Sequence, residues 1–125
     1  MRKLTNIELS YAMKNFRFLS EYFYMSGDLI DLTQTSKDGL LGDSQGYTVQ
    51  TEYLIGQWAP YVIYENWDKN FGVDGSSQNV TTFGLNYYEN MEAQRYGLAY
   101  KKIKNGKTIG NNESELLYAY FMLNY

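Results

Sequence analysis

The chain has 125 residues, a formal net charge of −3 from 11 basic and 14 acidic side chains, and neither cysteine nor histidine. This length allows one domain or part of a larger one. Without cysteine and histidine, the chain has no disulfide framework, lacks the commonest metal ligands and cannot form a histidine-dependent catalytic triad. No dense basic stripe occurs, so nucleic-acid binding is not expected. No run approaches the roughly 18 apolar residues of a transmembrane helix.

Apolar and polar residues alternate along most of the chain, at the two-residue period of a β-strand. A tight Lys14-Asn15 turn joins the first two predicted strands into a hairpin. The fourth strand begins at Pro60, because proline costs little at the first position of a strand, which leaves residues 56–59 as a short turn. In chain order, the strands are predicted near residues 4–14, 16–25, 46–56, 60–67, 79–88, 93–102 and 114–125.

The connections between these strands alternate between short turns and long polar stretches. The long stretches fall near residues 26–45, 68–78 and 104–113. An antiparallel membrane barrel has short turns on the periplasmic side and longer loops outside the cell. We therefore expect an all-β fold, an antiparallel up-and-down meander of about seven strands. It would form the C-terminal part of a transmembrane β-barrel, with the C-terminus in the periplasm.

The last predicted strand carries an unbroken apolar face and ends on an aromatic residue. That face consists of Leu117, Ala119, Phe121, Leu123 and Tyr125. A soluble domain rarely exposes so apolar an edge. In the closing strand of a membrane barrel, lipid covers such a face and a neighbouring strand takes the hydrogen bonds. We expect these five side chains to face lipid.

Aromatic residues make up 18% of the chain, and 14 residues are tyrosine, the aromatic that suits a boundary between lipid and water. Several of them lie near the ends of predicted strands. The aromatics at the loop ends are Tyr22, Tyr24, Tyr47 and Tyr100, and those at the turn ends are Phe16 and Tyr125. This distribution predicts two aromatic belts, one at each membrane interface.

The predicted strand number bears on the completeness of the barrel. Seven strands with a periplasmic C-terminus place the first strand's start outside the cell, and bacterial barrels have even strand numbers of at least eight. Met1-Arg2-Lys3 leads directly into an alternating run with no signal peptide. We therefore expect residues 1–125 to be a single domain that is a C-terminal fragment of a larger barrel.

Four segments carry a resemblance to a known family. They are FRFLSEY at residues 16–22, GYTVQTEYLIG at 46–56, APYVIYE at 59–65 and TFGLNYY at 82–88. In this order and spacing, over roughly residues 7–125, they resemble the phosphate-selective porins O and P of Gram-negative outer membranes. The resemblance implies passive diffusion of small ions and solutes, such as the anion phosphate, through a water-filled pore. It also implies a homotrimer. The chain departs from the family at Ile63, where a basic residue facing the pore is usual.

If the apolar face meets lipid, the opposite face lines the pore. The candidate pore-lining residues are Glu8, Arg17, Glu21, Gln50, Glu52, Glu65, Asn86, Arg95 and Lys101. Their four acids and three bases nearly balance, which predicts weak ion selectivity. We expect Glu21, Glu52 and Glu65 to pair with Arg17 or Arg95 and keep the wall polar. The alternative is an acidic cluster that tunes conductance.

Three functions fit the alternation. The first is a porin segment in contact with outer-membrane lipid, without enzymatic activity, cofactor or metal. The second is a soluble lipocalin-like barrel whose apolar face points inward to hold a small ligand. The third is a membrane barrel with a structural or adhesive role and no conducting pore. Periodicity alone does not separate them, because all three share the same alternation.

Overall fold

A computed structural model describes residues 3–26, 44–68, 77–89, 94–106 and 113–123. All regular structure in these ranges is β-strand, and no helix there has the length and apolar character needed to cross a membrane. The strands are β1 Lys3–Met13, β2 Phe16–Ser26, β3 Ser44–Tyr53, β4 Trp58–Asp68, β5 Ser77–Glu89, β6 Gln94–Asn105 and β7 Glu113–Leu123.

The seven strands form one antiparallel sheet in the order β1-β2-β3-β4-β5-β6-β7. Every strand pairs with its neighbour in sequence, so the predicted all-β meander is confirmed. The strand bounds agree with the prediction within three residues at each end. The connections contain 2, 4 and 4 residues at one end of the sheet and 17, 8 and 7 at the other, which is the predicted alternation of short turns and long loops.

The predicted turn at residues 56–59 is wrong at its end, because the fourth strand begins two residues earlier than predicted. β3 ends at Tyr53 rather than at residue 56, and β4 already includes Trp58. The turn is Gly56-Gln57, because Ile55 and Trp58 exchange two backbone hydrogen bonds of 2.7 and 3.1 Å across it. Gly56 has a φ of 62°, the left-handed conformation that a two-residue hairpin turn requires at its first central position.

Proline explains why β3 ends before this turn. The register that pairs Glu52 with Tyr61 and Ile55 with Trp58 sets Pro60 opposite Tyr53. Proline has no N–H to donate to the Tyr53 carbonyl group, so the ladder is interrupted there. On its other side, the Leu54 N–H donates to the Asn15 carbonyl oxygen at 2.7 Å and ties this turn to the neighbouring one.

The sheet curls toward its polar face. Arg17 of β2 and Tyr118 of β7 line the same cavity, although five strand spacings of a flat sheet would separate them by about 24 Å. We call the face that lines this cavity the concave face and the opposite one the convex face. The sheet has almost no hydrophobic core, since the buried apolar residues in the described part are Ala59, Tyr61, Tyr88 and Ala99.

Some sequence predictions lie outside the described residues. They are the lipid-facing position of Tyr125 and the conformation of most of the loop at residues 26–45.

Candidate functional site on the concave face

The concave face holds a cavity of about 620 Å³. Its polar lining comes from Arg17 of β2, Gln50 and Glu52 of β3, Asn86 of β5 and Arg95 of β6. These residues share a face because the register sets Arg17 opposite Glu52, and because residues two apart on a strand point the same way. The cavity also has aromatic walls, which include Tyr61, Tyr88, Tyr118 and Tyr120.

Glu52 is the centre of a hydrogen-bond network in this cavity. Its side chain is almost fully buried, with 7% exposure. Tyr88 donates its hydroxyl hydrogen to Glu52 Oε2 at 2.8 Å, and the Asn86 Nδ2 group donates to the same oxygen at 3.1 Å. Arg17 Nη1 lies 3.5 Å from Oε1. A buried carboxylate needs such partners because burial of an unpaired charge is costly.

Two tyrosines extend this network across the sheet. The hydroxyl groups of Tyr61 on β4 and Tyr120 on β7 are hydrogen bonded at 3.0 Å. They meet above β5 and β6, where Tyr120 also contacts the Asn86 side-chain oxygen. Since Asn86 donates to Glu52, one chain of hydrogen bonds links Tyr61, Tyr120, Asn86 and Glu52.

Arg95 differs from Arg17 in having no carboxylate partner among the described residues. Its guanidinium carbon lies 5.7 Å from the centre of the Tyr120 ring, a cation–π geometry. One terminal nitrogen contacts the Met122 sulfur. The Nε atom is buried and has no hydrogen-bond partner in the part of the chain that the structure describes. The cavity lining therefore carries one positive charge that Glu52 does not offset.

All nine predicted pore-lining residues lie on the concave face, as the strand registers require. Five of them line the cavity together, namely Arg17, Gln50, Glu52, Asn86 and Arg95. The other four, which are Glu8, Glu21, Glu65 and Lys101, share the face but lie outside that cavity lining.

The expected pairing of the three glutamates is confirmed for one of them. Glu52 pairs with Arg17. The prediction is wrong for Glu21 and Glu65, which have no ion pair in the described ranges. The register gives the reason, because it sets Glu21 between Glu8 and Thr48, and Glu65 between Thr48 and Val80. Neither acid has a basic residue directly opposite.

The convex face is apolar and exposed over all seven strands. Leu117 and Phe121 of β7 are 68% and 51% exposed, and Ala119 and Leu123 share their face. The large exposed apolar residues of this face are Ile7, Leu9, Tyr11, Met13, Tyr22, Tyr47, Tyr53, Trp58, Val62, Phe83, Leu85, Tyr96, Leu98, Leu117, Phe121 and Leu123.

A row of aromatic rings borders this face at the short-turn end. Trp58, Tyr87, Tyr96 and Phe121 follow one another across β4 to β7, with ring centres 4.9, 6.5 and 5.0 Å apart. At the loop end, Tyr47 and Tyr64 are 5.9 Å apart. Beyond them the convex face becomes polar on six strands, at Thr5, Gln45, Asn66, Asn79, Lys102 and Glu115.

Sequence reasoning missed the aromatic part of the cavity. The alternation already put Tyr61 on the inward face, but it gave no role to Tyr61, Tyr88, Tyr118 or Tyr120. A usable signal was present in Gly84 and Gly97, two glycines at concave positions of neighbouring strands. Glycine inside a strand often marks a close approach by another group.

Comparisons with protein-family models, curated proteins and solved structures give no match to this chain. The resemblance to the porin family therefore stays a prediction from the sequence.

We predict that Glu52→Ala lowers the free energy of unfolding by about 2–4 kcal/mol, because Tyr88 and Asn86 lose a charged acceptor while they stay buried. Loss of the partly exposed ion pair between Arg17 and Glu52 adds little to this decrease in stability. Equilibrium urea unfolding measures the loss. Glu8→Ala is the matched control, since Glu8 is an exposed acid on the same face, and it should change stability by less than about 0.5 kcal/mol. Equal effects of the two substitutions would contradict the structural role of Glu52.

Proposed function

We propose that this sheet is part of the wall of an outer-membrane β-barrel porin, through which small ions and solutes diffuse passively. The observation that carries the proposal is the assignment of the two faces. The polar face lines the cavity inside the curl, and the apolar face lies outside it. This is the arrangement of a barrel that holds water and is surrounded by lipid.

The dimensions of the strands support a membrane-spanning role. They contain 10 to 13 residues, and a tilted strand needs about 9–11 residues to cross the hydrocarbon core. The convex face is bordered by the Trp58 to Phe121 row at the turn end and by polar residues at the loop end. Such borders correspond to the two interfaces of a bilayer. In the proposed orientation, the turns and the C-terminus are periplasmic.

The two edges of the sheet support its placement in a larger barrel. Within the described sheet, β1 pairs only with β2, and β7 pairs only with β6. Each edge therefore presents a row of backbone groups, which are costly to leave unpaired in lipid. Further strands would close the barrel, and we propose that this sheet is one part of its wall. Assembly into a homotrimer rests on the family resemblance alone.

The soluble lipocalin-like alternative requires the apolar face to point inward around a ligand. The cavity lining is instead the polar face, with Arg17, Glu52 and Arg95 in it. Leu117 and Leu98 lie outside the curl and are more than half exposed. The face assignment thus favours the porin over the soluble barrel.

The charge of the cavity supports a preference for small anions, such as phosphate, at this level of the pore. Arg17 is offset by Glu52, whereas Arg95 keeps an unpaired charge in the described structure. Charges on a pore wall set ion preference. The acids Glu8, Glu21 and Glu65 lie elsewhere on the same face, so we expect the preference to be modest.

Single-channel recording of the complete gene product in a planar bilayer tests this function. We expect stepwise conductance, with a chloride to potassium permeability ratio that falls in Arg95→Gln and is retained in Arg95→Lys. Lys102→Gln is the matched control, because it removes the same charge from β6 on the convex face. Absence of any conductance would contradict the porin and favour the structural or adhesive barrel.

We predict that Leu98→Arg destabilises the protein in lipid bilayers by about 2–4 kcal/mol, because it places a charge in the hydrocarbon region. Gln50→Arg introduces the same side chain on the concave face and should have little effect. The measurement is the folded fraction against urea concentration in liposomes. In a soluble domain the exposed Leu98 would tolerate arginine within about 0.5 kcal/mol, so a harmless Leu98→Arg would count against lipid contact.

A further inference from the structure

Two glycines on the concave face allow tyrosine rings to lie directly on the backbone of the sheet. A Cβ atom at Gly84 would overlap the Tyr61 ring, and one at Gly97 would overlap the Tyr120 ring. In both cases the nearest atoms belong to the phenol end of the ring. Ordinary contacts of a Cβ atom begin at about 3.4 Å, so neither ring could keep its place over a larger residue.

The two rings approach each other from opposite sides. Tyr61 extends from β4 over Gly84 of β5, and Tyr120 extends from β7 over Gly97 of β6. Their hydroxyl groups meet at 3.0 Å, and Asn86 contacts the Tyr120 hydroxyl. The Arg95 guanidinium carbon lies 5.7 Å from the centre of the Tyr120 ring. We call Tyr61, Tyr120 and the two glycines beneath them the tyrosine clasp.

We propose that the tyrosine clasp sets the width of the pore at this level, and so the largest solute that passes. This inference rests on the proposed porin function. A large side chain on a pore wall either lies along the wall or projects into the water. Gly84 and Gly97 leave room for the first arrangement, and the Tyr61 to Tyr120 hydrogen bond holds it.

Substitution of a glycine and substitution of a tyrosine in the tyrosine clasp should change the conductance in opposite directions. The Cβ atom of Ala at position 97 would overlap the Tyr120 ring and would push it off the backbone of the sheet, toward the pore. Gly97→Ala should therefore lower the conductance and reduce the size of polymer that enters. Tyr120→Ala removes the ring and should raise both the conductance and the size of polymer that enters. In the double substitution no ring remains to be lifted, so it should match Tyr120→Ala alone.

The experiment is single-channel recording of the complete gene product with polyethylene glycols of graded size, which reduce conductance only if they enter the pore. Leu98→Ala is the control, because Leu98 follows Gly97 directly and lies on the convex face. It should leave the conductance and the polymer cut-off unchanged. Heat-dependent mobility on a denaturing gel checks that each variant is folded.

The possible outcomes separate the two proposals. A conducting parent whose cut-off is unchanged in Tyr120→Ala would overturn the clasp and leave the porin standing. A double substitution that keeps the reduced conductance of Gly97→Ala would also overturn it, because the loss would then not depend on the ring. If Gly97→Ala does not fold, the polymer cut-offs of Tyr120→Ala and of the double substitution still test whether the tyrosine clasp sets the pore width. A parent that does not conduct contradicts the porin function itself.

Discussion

The structure depends on a single constraint, which is that the apolar face of the sheet lies outside its curl. Fully burying one large apolar side chain is worth about 1.5–3 kcal/mol. Ten such side chains left half exposed in water would forgo roughly 8–15 kcal/mol, which is comparable with the whole stability of a typical domain, about 5–15 kcal/mol. The convex face carries more than ten, and the four buried apolar residues described cannot compensate. Some apolar medium or partner must therefore cover that face, and lipid is the medium that we propose.

The concave face follows from the same constraint. With the apolar side chains outside, the sheet has little hydrophobic packing to fix the positions of the side chains within its curl. Polar groups fix these positions instead. Glu52 accepts hydrogen bonds from Tyr88 and Asn86, and the tyrosine clasp joins β4 to β7. A low local dielectric makes such a network stiff when every member is paired. Arg95 is the exception, because its buried Nε has no hydrogen-bond partner among the described residues.

Most of the fold could be predicted from the sequence, because the two-residue period assigns each side chain to a face without knowledge of the partner strand. Leu117 and Tyr118 are neighbours in sequence and lie on opposite faces, as the alternation predicts. The sequence prediction makes the turn at Gly56-Gln57 two residues too long, because it takes Pro60 as the first residue of the fourth strand, whereas β4 already begins at Trp58. The ion pairs of the glutamates are harder to predict from the sequence than the turns. Glu52 and Glu21 have the same alternation, and only the register sets a base opposite the first and not the second. The tyrosine clasp depends on rings that reach across strands, which no spacing along one strand encodes.

Site-directed cysteine labelling of β7 tests most directly which solvent touches each face. The chain contains no cysteine of its own, so single cysteines can be placed at the convex positions 117, 119 and 121 and at the concave positions 118 and 120. In liposomes with a charged, membrane-impermeant thiol reagent, we expect labelling at 118 and 120 and protection at 117, 119 and 121. Without lipid around the sheet, Leu117 and Phe121 are the more exposed positions. Faster labelling at 117 and 121 than at 118 and 120 would contradict contact between the convex face and lipid.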